Sequence, residues 1–180
     1  MIIAKDKIKT NIGEYFIYMF QIEDLLRACN LDKNIVESNL ISQYKVDDSV
    51  KIEISEWYFG LIKLMSEEKL EKSGHINFVS NKINEVMEFH QYLLQSSDHI
   101  DYQNKFKDVA PIIDELKIKQ NNSKNDIDII LNAIYGIYLL KLKKQQITDD
   151  TLASTGKLSA LLSLLSKKFK DYESGELSIE

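Results

Sequence analysis

The stretch Glu14–Ala28, EYFIYMFQIEDLLRA, decides the fold class because its apolar residues recur with the period of a helix. On a helical wheel, Phe16 and Phe20 share a stripe that continues into three charged residues: Glu23, Asp24 and Arg27. The opposite stripe is apolar throughout: Tyr15, Tyr18, Ile22, Leu25, Leu26 and Cys29. We therefore predict a helix that is buried nearly all round in its first half and on one side only in its second half.

The second half of this helix carries polar residues with two open interpretations. Glu23 precedes Arg27 by four residues, which is the favoured order for a helical ion pair on an exposed face. The alternative is the floor of a binding pocket, and its candidate residues are Gln21, Glu23, Asp24, Arg27, Tyr44 and His90. We expect a solvated face with a pocket at its edge.

The rest of the chain is also helical in pattern. Asn11 or Thr10, Asp32, and Thr148 or Asp149 are predicted helix caps, and Gly74 is predicted to end the helix that begins after Ser49, as its left-handed cap region. Pro111 predicts a kink or a break in its helix. The pattern predicts an all-α, single-domain helical bundle of about six to eight helices over residues 1–172. The polar stretch 119–126 is predicted to be a surface loop, and the acidic tail 173–180 is predicted to be frayed.

Composition excludes several classes of protein. Cys29 is the only cysteine, which excludes an intramolecular disulfide and a cysteine-rich zinc site. The net charge of -5 argues against nucleic-acid binding, and the most apolar stretch, residues 127–142, is too short to span a bilayer. The first residues lack the apolar core of a signal peptide. We predict a cytoplasmic protein with no nucleic-acid or membrane partner.

Candidate chemistry is sparse. The three histidines form no metal-binding pattern, so we predict no metal and no cofactor. His90 lies in the centre of an apolar stripe, and a buried histidine with a hydrogen-bond partner is the common explanation of that position. Cys29 has the profile of a small buried apolar residue, and the Gly-Lys pair at Gly156 lacks the rest of a phosphate-binding loop. No residue is assigned a catalytic role.

Small residues mark the last two predicted helices. Asn132, Ala133 and Gly136 form one patch, and serines line a face of the last helix: Ser159, Ser163 and Ser166. A glycine within a helix costs up to about 1 kcal/mol relative to alanine, so Gly136 is expected to allow another backbone to approach. The two helices could pack on each other there, or the patch could be the interface of a homodimer.

Several segments together resemble an uncharacterised domain-of-unknown-function family of small bacterial proteins, which we associate with gut anaerobes. The segments that carry the resemblance are NIGEYFIYMFQIEDLLRACNL, ISQY, EWYFGLI, GHI, Ala110-Pro111 and AIYGIYLLKL. The resemblance covers nearly the whole chain and implies a cytoplasmic, all-helical protein. It implies no activity.

These observations favour a non-enzymatic protein that acts by self-association or by binding another protein. The alternative is a small-molecule binder or enzyme with a polar pocket between helices. That pocket would be built around Glu23, Asp24 and Arg27, together with His90.

Overall fold

The computed structural model describes residues 2–120 and 125–177, and all regular structure within these ranges is helical. The all-α class predicted from the sequence is confirmed. The described residues form eight α-helices and one 3-10 turn at Ile41–Gln43. In chain order the helices are α1 (Ile2–Thr10), α2 (Ile12–Ala28), α3 (Lys33–Asn39), α4 (Asp48–Glu67), α5 (Asn77–Gln95), α6 (Ile100–Gln120), α7 (Asp126–Leu142) and α8 (Asp149–Glu173).

Side-chain caps define where several helices begin. The Asn11 side chain accepts a hydrogen bond from the N–H of Glu14 (3.1 Å), and Asp32 accepts two from the first turn of α3 (2.8 and 3.0 Å). Thr148 accepts from the N–H of Thr151 (3.3 Å) at the start of α8. Each cap satisfies backbone donors that have no partner inside the helix. The predicted capping roles of Asn11, Asp32 and Thr148 are therefore confirmed.

Pro111 lies inside α6, which is one continuous helix, so the predicted break into two helices does not occur. Proline removes the hydrogen bond to the carbonyl four residues earlier, which is that of Lys107. Lys107 and Pro111 are both exposed, so water can satisfy the carbonyl that loses its donor.

Contacts divide the chain into two compact units. Unit 1 comprises the residues up to Asp6 and Tyr18–Asn81, and unit 2 comprises Lys7–Ile17 and the residues from Lys82 onward. The single domain over residues 1–172 stays a prediction. Residues 121–124 of the predicted surface loop and 178–180 of the predicted tail lie outside the described residues.

Each unit has an apolar core. In unit 1, α3 packs against α4, and the fully buried side chains include Val36, Ile41, Met65, Ile76 and Val79. In unit 2, α6, α7 and α8 pack against one another, and the buried side chains include Tyr102, Ile113, Ile127, Leu161 and Phe169. Burial of each such side chain contributes about 1.5–3 kcal/mol, which makes the core the main source of stability.

Candidate functional site

Glu23 is fully buried in unit 1, so the predicted solvated face is wrong at this residue. Its carboxylate accepts hydrogen bonds from the N–H of Ile76 (2.9 Å) and from Nδ1 of His75 (2.6 Å). The His75 ring stacks on Phe20, with 3.8 Å between ring centroids and 14° between planes. A carboxylate can be buried only when such partners replace its water. These partners come from the segment between α4 and α5, which a helical wheel of α2 does not include.

Arg27 binds the same segment. Its guanidinium donates to the carbonyl of Leu70 (2.9 Å), to the carbonyl of Gly74 and to Asp24 (2.9 Å). Gly74 has a left-handed backbone, with φ of 94°, but α4 ends at Glu67, so the prediction that Gly74 ends this helix is wrong. Among the ion pairs of the described residues, none joins Glu23 to Arg27, so the predicted pair between them is also wrong.

The polar stripe of α2 therefore fastens the α4–α5 connection in place. Glu23 holds the end of that connection, and Arg27 holds two of its carbonyls. Glu23, Asp24 and Arg27 do not line the cavity at Tyr44, the cavity at Lys105 or the groove between α6, α7 and α8.

His90 is fully buried in unit 2, beside Tyr102 and the edge of the Phe106 ring. Its Nδ1 lies 2.6 Å from the Tyr102 hydroxyl, and its Nε2 lies 3.6 Å from Oδ2 of Asp126. This geometry suits the tautomer in which Tyr102 donates to Nδ1 and the Nε2 hydrogen points at the carboxylate. The distance of 3.6 Å leaves Nε2 without a hydrogen-bond partner in the described part of the chain. The hydrogen-bond partner predicted for His90 is therefore found at Nδ1.

Asp126 completes this cluster at the first residue of α7. The His90 ring, and after it the Lys117 ammonium at 2.8 Å, hold the pKa of Asp126 at about 2, although burial acts to raise it. Burial raises the pKa of Tyr102 above its usual value. His90 and Tyr102 are sealed from solvent, so the cluster joins α5, α6 and α7 rather than presenting a group to a substrate.

Two other predicted residues, Gln21 and Tyr44, line a cavity of about 330 Å³ in unit 1. The Tyr44 hydroxyl lies 3.0 Å from that of Tyr58, and Tyr18 forms a further part of the wall. The Tyr18 ring stacks against Trp57 with 6.5 Å between centroids. Burial, and after it the neighbouring Tyr44, raises the pKa of Tyr18 above its usual value.

A larger groove of about 650 Å³ lies between α6, α7 and α8 in unit 2. We call it the α6–α7–α8 groove, and its lining includes Ile112, Leu116, Ala133, Gly136, Leu140 and Leu158. Four charged residues also line it: Glu115, Lys119, Lys143 and Asp150. A third cavity in unit 2, of about 560 Å³, is lined by Lys105, Asp108 and Lys157 among others.

The predicted interface residues separate into two groups. Asn132, Ala133 and Gly136 all line the α6–α7–α8 groove, whereas Ser159 and Ser163 are exposed elsewhere on α8. A Cβ added to Gly136 would meet no other atom within 4 Å, so no described part of the chain makes the expected close approach there. Ser166 is buried, and its hydroxyl accepts from the N–H of Gly13 (3.1 Å) and donates to a carbonyl of its own helix. It is therefore not available to a second copy of the chain.

The close approach occurs at Gly13 instead, and the sequence reasoning missed it. A Cβ added there would lie 2.8 Å from Cγ of Leu162 and 3.0 Å from Oγ of Ser166. The absent side chain thus allows the start of α2 to press against α8. His75 was missed as well. Its place two residues before a predicted helix gave no sign that it would bind a carboxylate 52 positions earlier.

No group of three or more His, Cys, Asp or Glu side chains that could hold a metal ion occurs in residues 2–120 and 125–177. None of the helices in these ranges has the length and apolarity needed to cross a membrane.

Comparison with known proteins identifies a family. Neither the curated proteins nor the solved structures contain a match to this chain. The sequence model of the family described as Domain of unknown function (DUF4924) matches residues 1–176. The chain belongs to the DUF4924 family.

Proposed function

We propose that this protein is a non-enzymatic binding protein of the cytoplasm that forms a symmetric dimer through the α6–α7–α8 groove. The observation that carries the proposal is Gly136. It lies in the middle of α7, where glycine costs about 0.5–1 kcal/mol relative to alanine, and it faces the groove. No described part of the chain approaches Gly136 closely, so a second copy of the chain has room to make this contact, and its packing there would offset that cost.

Exposed apolar side chains lie next in sequence to residues that line the groove. Ile118 is 80% exposed and lies between the lining residues Leu116 and Lys119, while Leu142 is 62% exposed and directly precedes the lining residue Lys143. A twofold interface uses the same patch on both copies, so it needs projecting and recessed apolar surface together. Such exposed apolar surface on a groove is typical of an interaction site.

Charge supports a second copy as the occupant. The lining holds two acidic and two basic side chains: Glu115, Asp150, Lys119 and Lys143. A patch with equal numbers of positive and negative side chains can be complementary to a second copy of itself. A strongly basic or strongly acidic partner would be repelled by the side chains of its own charge. We do not propose nucleic acid or a membrane as a partner.

The internal use of the polar clusters supports a non-enzymatic role. Glu23 and Arg27 are bonded to the α4–α5 connection, and His90 and Tyr102 are sealed within unit 2. The α2 and α5 residues that could have supplied acid–base chemistry are thus committed to holding the fold.

Sedimentation velocity of Gly136→Leu tests the proposal. Leucine is a strong helix former, and the open space at Gly136 accepts its side chain, so the monomer should fold while the groove is filled. Gly60→Leu is the matched control, because Gly60 is also mid-helix, exposed and open. At about 100 µM, a dimer with a Kd of about 10 µM or below is the main species. We expect wild type and Gly60→Leu at twice the 20.9 kDa monomer mass, and Gly136→Leu as a monomer.

A wild-type monomer at that concentration would overturn self-association. An unchanged dimer in Gly136→Leu would show that the copies meet on another face. Ser163→Arg then tests the exposed serines of α8, which are the remaining predicted interface.

A further inference from the structure

The cavity at Tyr44 differs from the other two in having no charged residue in its lining. We call it the tyrosine cavity, and its polar residues are Tyr18, Gln21, Asn39, Gln43, Tyr44 and Tyr58. Three apolar residues complete it: Ile22, Leu25 and Leu40. The α6–α7–α8 groove and the cavity at Lys105, which both lie in unit 2, have lysine and carboxylate side chains in their linings. A buried charge on a ligand would therefore have no counter-ion in the tyrosine cavity.

Much of the hydrogen-bonding capacity in this cavity is unused. The Gln21 side chain is half-buried and has no hydrogen-bond partner among the described residues. The Gln43 amide nitrogen donates to the neighbouring Ser42 hydroxyl (3.2 Å), which leaves its carbonyl oxygen to accept. Gln43 is exposed, whereas the half-buried Gln21 side chain favours binding of a ligand that supplies its missing partner.

The walls of the cavity suit a ring. Tyr58 is almost fully buried, and its hydroxyl is held by that of Tyr44, so the two rings have a fixed arrangement. The Tyr18 ring lies nearly parallel to the Trp57 ring, with 22° between the planes and 6.5 Å between the centroids. Aromatic walls bind planar rings by stacked or edge contacts, each worth about 0.5–1.5 kcal/mol beyond the area buried. A volume of about 330 Å³ lies near the lower end for small-molecule sites, which excludes a large occupant.

We infer that the tyrosine cavity is a binding site for a small, neutral aromatic ligand that carries both a hydrogen-bond donor and an acceptor, such as a carboxamide or the edge of a nucleobase. The ring lies against the half-buried rings of Tyr18 and Tyr44, and the polar edge meets Gln21 and Gln43. This site is independent of the proposed dimer, because all of its residues belong to unit 1 whereas the α6–α7–α8 groove belongs to unit 2.

Three probes of nearly the same shape test the charge requirement: benzamide, benzoate and benzamidine, which are neutral, anionic and cationic at neutral pH. Each is titrated into isotope-labelled full chain and followed by protein NMR shifts. Benzamide should shift the signals of Gln21 and Gln43. Benzoate and benzamidine should bind at least about tenfold more weakly, because each would bury a charge without a partner.

Gln21→Ala separates the cavity from weak binding at other surfaces. The side chain has no partner to lose among the residues that the structure describes, so the fold should be unaffected, while the affinity for benzamide should fall about fivefold with the lost hydrogen bond. Gln91→Ala, an exposed glutamine of α5, is the matched control and should bind benzamide as wild type does. The inference is overturned if benzamide shifts no residue of the cavity, if all three probes bind equally, or if the two glutamine variants behave alike.

Discussion

Replacement of Gly13 by alanine tests the tightest packing contact in unit 2. The new Cβ would lie 2.8 Å from Cγ of Leu162 and 3.0 Å from Oγ of Ser166, whereas carbon atoms make favourable contact at about 3.5–4.0 Å. The Cγ of leucine is the branch point of the side chain, so it cannot move aside without moving both methyl groups. Leu162 is itself buried, which leaves little room for that movement.

Three contributions set the size of the effect. Alanine in place of glycine ordinarily stabilises a helix by about 0.5–1 kcal/mol. Against this, overpacking of a core costs about 1–3 kcal/mol. Displacement of Ser166 also weakens the hydrogen bond from the Gly13 N–H, which contributes about 1 kcal/mol. We therefore expect a loss of about 2 kcal/mol in the free energy of unfolding, or a melting temperature about 4–8 °C lower for a chain of this length.

Urea unfolding followed by circular dichroism measures the change, with Gly60→Ala as the control. Gly60 is open and exposed, so its alanine variant should gain about 0.5–1 kcal/mol. In a Leu162→Ala background the crowding is relieved, and the cost of Gly13→Ala should fall below about 1 kcal/mol. If Gly13→Ala is instead as stable as wild type, or gains stability as the control does, α2 and α8 do not approach as closely as the 2.8 Å separation at Gly13 implies.

Three further substitutions or reactions have defined outcomes. Glu23→Ala should cost about 2–4 kcal/mol in urea unfolding because the buried N–H of Ile76 and the half-buried ring of His75 lose their acceptor, and a loss no larger than that of the exposed Glu37→Ala would refute this. Asp126→Asn should cost about 2 kcal/mol at pH 7, which is the free-energy equivalent of the lowered pKa of Asp126. Because the pKa of Asp126 is lower in the folded than in the unfolded chain, this contribution is present above about pH 4 and is lost as the pH falls towards 2. A difference in the free energy of unfolding between variant and wild type that persists at pH 2 would contradict the role of His90. Cys29 should react with iodoacetamide only after denaturation, because it is buried and burial raises the pKa of its thiol, and rapid labelling of the folded protein would disprove that.

Local signals predicted the helices well because their causes are local. Asn11, Asp32 and Thr148 cap helices through donors within three residues, so the necessary information lies in a short stretch of sequence. The end of α4 was predicted wrongly, because Lys69 rather than Gly74 is the left-handed residue that directly follows the helix end. Pro111 could not be interpreted from local sequence alone. Whether a proline breaks a helix depends on whether the carbonyl that loses its donor faces water, and the burial of that carbonyl is set by the tertiary structure.

The polar residues of α2 could not be interpreted from their own helix. The wheel places Glu23 beside Arg27, and that neighbourhood suggests an exposed ion pair. The partners of Glu23 lie 52 and 53 residues later in the sequence, and the cost of burial is met only there. Likewise a glycine inside a helix, such as Gly136, predicts a close approach of another backbone. Gly13 lies beside the predicted helix start, where a glycine is common and predicts no such contact.

The contact between Gly13 and Ser166 joins residues that are 153 positions apart in the sequence, and this separation affects how the chain folds as it is synthesised. Each helix that emerges early can form its own backbone hydrogen bonds, but the contact of Gly13 with Leu162 and Ser166 cannot form until α8 has left the ribosome. Until then the start of α2 lacks this partner, and the apolar surface of an incomplete domain is accessible to other chains and to chaperones. Contacts between residues so far apart in sequence form slowly relative to helices, so the synthesis of α8 is expected to control when this face of α2 becomes covered.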